Sequence, residues 1–97
     1  GGGKVCIREV RPLEDCFDGS AVLCYCFDAP WTREDILALG ALGRLDYFPE
    51  FPRPYFRLQT GLGLQAQGVQ GECTCRVVLP RLGREQARCA FEESFTC

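Results

Sequence analysis

Cysteines recur at one-residue spacing twice in this chain, as Cys24/Cys26 in LCYCFD and Cys73/Cys75 in GECTCRV. Side chains alternate along a β-strand, so each pair projects both sulfurs from one face. Two such strands brought together would gather four sulfurs, Cys24, Cys26, Cys73 and Cys75, enough for a tetrahedral zinc or an iron–sulfur cluster. Two disulfides between neighbouring strands need almost the same geometry. Plain buried thiols are the third possibility, and spacing alone leaves all three open.

Absences narrow the chemistry further. The chain has no His, no Met and no Asn. Imidazole-based triads, Cys₂His₂ zinc, c-type haem attachment and N-glycosylation therefore cannot be built from its residues. A thiolate nucleophile would need an Arg or Lys4 beside it, because no base of the usual kind is present. The carboxylate pairs Glu14/Asp15, Glu34/Asp35 and Glu92/Glu93 are sequence neighbours and read as solvated faces or helix-start charges. The expectation is a protein that is not an enzyme.

Eight cysteines in 97 residues are close to the density of a disulfide or metal scaffold, and a core this small benefits from such cross-links. One cysteine-rich domain over residues 1–97 is expected. A net charge of −2 supplies no basic footprint for nucleic acid. No apolar run reaches the length needed to insert in a membrane.

The elements that must position the thiols can be read from local patterns. KVCIREV (4–10) reads as a strand and RPLEDCFDGS (11–20) as loop and turn. AVLCYCF (21–27) reads as a strand with Cys24 and Cys26 on one face and Leu23, Tyr25 and Phe27 on the other. Thr32 is a good N-cap for a helix predicted over Arg33–Leu42, with Glu34 and Asp35 at its positive end and Trp31 and Ile36 placed as a hydrophobic staple. The segment DYFPEFPRPYF (46–56) satisfies PxxP through Pro49 and Pro52, but its aromatics are expected to pack inward as a rigid connector. YFRLQT, LGLQAQGV and ECTCRVVLP read as successive strands, the last with Cys73, Cys75, Val77 and Leu79 on one face and Glu72, Thr74 and Arg76 on a wet one. Residues 83–97 read as a closing helix with Ala87, Ala90, Phe91 and Phe95 as its apolar stripe and Cys89 nearly opposite. The predicted class is α+β: a small antiparallel sheet of four or five strands with two short helices.

The blocks CYCF, TREDI and GECTCRV resemble the amino-terminal domain of CopZ-type copper chaperones, which carries a 2Fe-2S cluster on thiolates. The resemblance covers about a third of the chain and includes Pro80, Gly83 and Arg84 after the second block. It implies cluster ligands Cys24, Cys26, Cys75 and Cys89, with Cys73 as substitute. The family's own zinc site and its copper-binding C-x₂-C are absent, so copper delivery is not implied.

Two functions follow as expectations. One is a cytoplasmic metal-binding or iron–sulfur domain that transfers electrons or senses redox state with a redox partner, zinc being the alternative metal. It leaves Cys6, Cys16 and Cys97 unused. The other is a secreted or extracytoplasmic module, stapled by disulfides, that binds a receptor or other protein. In that reading the pair at 24 and 26 would be joined to the pair at 73 and 75.

Overall fold

The aromatic residues spaced through the chain converge on one cluster, and the sheet is built around it. Tyr25, Phe27, Trp31, Phe56, Phe91 and Phe95 are all at most 5% exposed. Their rings meet edge to face, with centroids 4.9 Å apart for Phe27 and Trp31, 5.0 Å for Trp31 and Phe56, and 5.2 Å for Tyr25 and Phe91. Such pairs add about 0.5–1.5 kcal/mol each beyond their area burial.

The computed structural model describes residues 5–15 and 19–95. Its strands are β1 (Ile7–Asp15), β2 (Ala21–Phe27), β3 (Gly43–Phe48), β4 (Tyr55–Thr60), β5 (Gln65–Val69) and β6 (Thr74–Leu79). Helix α1 (Arg33–Ala38) continues into a 3₁₀ turn over Leu39–Ala41, and helix α2 spans Arg84–Glu93. All six strands form one antiparallel sheet in the order β1-β2-β6-β5-β4-β3. Strand takes 44% and helix 22% of the described residues. The class is therefore mostly β, which corrects the expected α+β sheet of four or five strands.

Two segments account for the difference. Residues 11–15, expected as loop, extend β1. The edge position explains how: Pro12 needs no inward amide there, and the strand breaks register between Ile7 and Glu9 and again between Pro12 and Glu14. The second is β3, which occupies part of the stretch expected to be a connector. The predicted helix ends earlier because the chain tightens into the 3₁₀ turn around Gly40.

The helix start is as expected. The Thr32 hydroxyl accepts from the Asp35 amide at 3.2 Å, and the Asp35 carboxylate accepts from the Thr32 amide at 3.3 Å, completing a capping box. Trp31 ties this start to the sheet. Its amide donates to the Glu72 carbonyl at 2.9 Å and its indole Nε1 donates to the Thr74 carbonyl at 3.0 Å. Helix α2 lays Ala87 and Phe91 into the core, with Phe95 just beyond it. The Tyr25 hydroxyl donates to the Glu92 carboxylate at 2.7 Å. Ala90 is exposed, so the stripe is narrower than predicted.

Candidate functional site

One face of the sheet is buried beneath the helices, and the other is open. Residues directly opposite in an antiparallel pair share a face. Tyr25 sits opposite Cys75, and Leu23 opposite Val77, so these lie on the core face. Cys24 sits opposite Arg76 and Cys26 opposite Thr74, so these lie on the open face. Following the register outward gives one row across all six strands: Arg11, Cys24, Arg76, Gln67, Arg57 and Asp46.

The register decides the fate of the candidate ligands. The two C-x-C pairs are offset by one residue, and the period of two then sends them to opposite faces. Cys24 and Cys26 are half-buried on the open face, whereas Cys75 is 2% exposed in the core. Cys73 lies outside β6 and is exposed, held by its carbonyl, which accepts from the Phe27 amide at 2.8 Å. Cys89 is exposed on α2. Neither predicted set, Cys24/Cys26/Cys75/Cys89 or Cys24/Cys26/Cys73/Cys75, comes together, so the donors do not fit a cluster or a tetrahedral zinc. No group of three or more Cys, Asp or Glu able to hold a metal exists among the described residues. The predicted disulfides between the pairs are not formed either, since Cys24, Cys26, Cys73 and Cys75 are all free thiols. Cys6 is disulfide-bonded. Cys16 and Cys97 lie outside the described residues.

What the structure does unite is Cys24 with Cys26, two half-buried thiols that share the open face of β2. Burial and then the neighbouring thiol push Cys24 above its ordinary pKa. It is a neutral hydrogen-bonding group at physiological pH, not a nucleophile. Burial pushes Cys75 up to about 12, and its thiol contacts the Arg76 carbonyl at 3.9 Å. Tyr25 is raised by burial and by its bond to Glu92.

Around the thiol pair the open face is polar, with cations in excess at its centre. A hollow of about 400 Å³ is lined by Cys24, Arg53, Tyr55, Gln67, Thr74 and Arg76. Arg53 is paired with Glu72, Arg11 with Glu9, and Arg44 with Asp46 at 3.8 Å. Among the described residues Arg57 and Arg76 have no ion-pair partner. One strand separates them, so their backbones are about 10 Å apart. Beside the hollow, Phe48 stacks on Tyr55 at 4.6 Å, and Phe51 lies 5.5 Å from Tyr55. Of the aromatic Pro-rich segment only Phe56 goes fully inward, and Phe51 is 47% exposed. The inward packing expected for this segment is thus corrected for these three rings.

The arginines of this row were partly visible in advance. The alternation in TCRVVL marked Arg76 as wet, and YFRLQT and QAQGV alternate in the same way. Nothing local showed that the three strands would align their polar positions in one row. Compared with protein-family models, with curated proteins and with solved structures, the chain finds no match in any of the three. No helix is long and apolar enough to cross a membrane.

Proposed function

We propose that this protein is an extracytoplasmic binding module that holds an acidic stretch of another protein against the open face of its sheet. The observation that carries the reading is the pair of guanidinium groups without an ion-pair partner among the described residues, Arg57 and Arg76, which flank Gln67 in one row of the open face, with Arg76 and Gln67 lining the hollow walled by Tyr55 and Cys24. Arginine forks donate to carboxylates in bidentate fashion, and a Gln between them offers both a donor and an acceptor to a peptide backbone. The aromatic stack of Phe48, Phe51 and Tyr55 beside the hollow supplies the apolar contact that most interfaces place near their centre. Disulfide-bonded Cys6 supports an oxidising compartment.

The test uses an acidic peptide, a short run of glutamates flanked by apolar residues, titrated into isotopically labelled protein. The expected result is amide shift changes confined to Arg57, Gln67, Thr74 and Arg76, weakening as salt is raised. R57E/R76E abolishes them without changing the melting temperature by more than a few degrees. Shifts confined to the helical side, or none at all, refute the assignment. Stoichiometric iron or zinc in protein purified anaerobically would overturn it in favour of the metal-binding domain.

A further inference from the structure

The two edges of the sheet are built differently, and the difference points to a second copy of this chain. Edge strands expose unpaired amides and carbonyls, and proteins usually blunt them. β1 is blunted in several ways: two register shifts, Pro12, and the charges of Arg8, Glu9, Arg11 and Glu14. β3 has no register shift and no proline, and its two charges, Arg44 and Asp46, are of opposite sign. It pairs with β4 through six consecutive positions without a break, from Gly43 opposite Thr60 to Phe48 opposite Tyr55. Among the described residues nothing hydrogen-bonds to its outer side.

The sequence of β3, GRLDYF, is also complementary to itself. An antiparallel pairing about a twofold axis at Leu45 sets Arg44 of each copy opposite Asp46 of the other. It also sets Leu45 opposite its own counterpart on the core face. Arg44 and Asp46 share the open face, and their side chains are 75% and 38% exposed, so both can turn to a neighbour. Their contact within one chain is loose at 3.8 Å and is cheaply exchanged for the two reciprocal ones. Antiparallel self-pairing of an edge is isologous and closes after two copies.

We propose that β3 is a dimerisation edge, through which two copies form one continuous twelve-stranded sheet with their open faces side by side. The interface is of the small, transient class, below about 1,200 Å² in total, so association is concentration-dependent. This inference does not rest on the peptide-binding reading. R57E/R76E removes peptide binding and leaves the dimer, whereas R44D removes the dimer and leaves peptide binding.

Sedimentation velocity over a hundredfold range of protein concentration tests it. The wild type is expected to shift from monomer towards dimer. R44D and D46R, taken singly, each set like charges opposite one another twice and weaken association by about tenfold or more. The double exchange R44D/D46R restores complementarity and recovers it. A wild type that stays monomeric throughout, single reversals without effect, or a double exchange that does not recover each overturns the proposal. Hydrogen exchange gives an independent reading on unmodified protein. Outward amides of β3 gain protection as concentration rises, and equal exchange at both ends of the range refutes the edge contact.

Discussion

Alkylation order among the free thiols is the sharpest consequence of the register between β2 and β6. Only thiolate reacts with iodoacetamide, so the rate follows both ionised fraction and access. Burial moves Cys75 from 9.0 to about 12. At pH 8 that lowers its thiolate from about 10% to about 0.01%, a thousandfold handicap before access is considered. Access adds to it, because a side chain that is 2% exposed is reached only after the sheet opens. Cys73 and Cys89 are exposed, so reagent reaches them without any opening of the sheet. Cys24 falls between, its pKa raised by partial burial and by Cys26. A timed pulse of iodoacetamide on native protein, read by peptide mass spectrometry, should find Cys73 and Cys89 first, then Cys24, with Cys75 slower than Cys73 by at least about a thousandfold. The competing arrangement, a shared cluster, protects Cys24, Cys26, Cys75 and Cys89 together and releases them together when a chelator is added. Block protection of that kind, or alkylation of Cys75 within about tenfold of Cys73, would refute the face assignment.

Other consequences are as direct. Stability should fall at alkaline pH. Below pH 9 the Cys75 thiol is neutral both folded and unfolded, but above it only the unfolded chain ionises freely. The loss from this group reaches about 1.4 kcal/mol at pH 10 and grows until the folded pKa of about 12. Buried Tyr25 acts in the same direction, and C75A should flatten the fall in urea melts between pH 8 and 10. T32A removes the capping box of α1 and should cost about 1 kcal/mol, whereas T32S should cost little. G68A places a methyl 2.9 Å from the Phe56 ring and 3.1 Å from the Thr74 carbonyl, and overpacking of that kind should cost about 1–3 kcal/mol by thermal denaturation. Y25F deletes the 2.7 Å bond to Glu92 and should cost about 1–2 kcal/mol, less than a fully buried bond because Arg88 still holds Glu92 at 3.0 Å.

Local signals were legible where short-range chemistry governs the outcome. The Thr32 cap with Asp35, the staple residues Trp31 and Ile36, and the split of β2 into a thiol face and an aromatic face all depend on neighbours within a turn or a pleat. The same holds for Cys75, Val77 and Leu79 on one face of β6, and for Cys89 turned away from the core on α2. Two stretches were misread because tertiary pairing overrode their composition. Residues 11–15 hold Pro12 and three charges, which signals a loop in isolation, yet an edge strand accepts both. Residues 43–48 become a strand through pairing with β4, and the glycine at position 43 permits the approach, because a methyl there would clash with the Gln59 carbonyl oxygen. The inward placement expected of Phe48, Phe51 and Tyr55 failed because the core was already filled by rings from β2, β4 and α2.

Composition and spacing alone determined that Cys24, Cys26 and Cys75 ride on strands, that no imidazole chemistry can be built from the residues of this chain, and where its first helix begins. Those are properties of residue type and of periods two and 3.6, which any stretch of chain carries with it. Which thiols meet was decided only by the tertiary register. A shift of one residue between β2 and β6 would put Cys24 and Cys26 beside Cys75 on one face, and the observed pairing of Tyr25 with Cys75 separates them. That choice is enforced at a distance, by Tyr25, Val77 and Leu79 having to share the core face with Phe91 and Phe56, residues far from either pair in sequence.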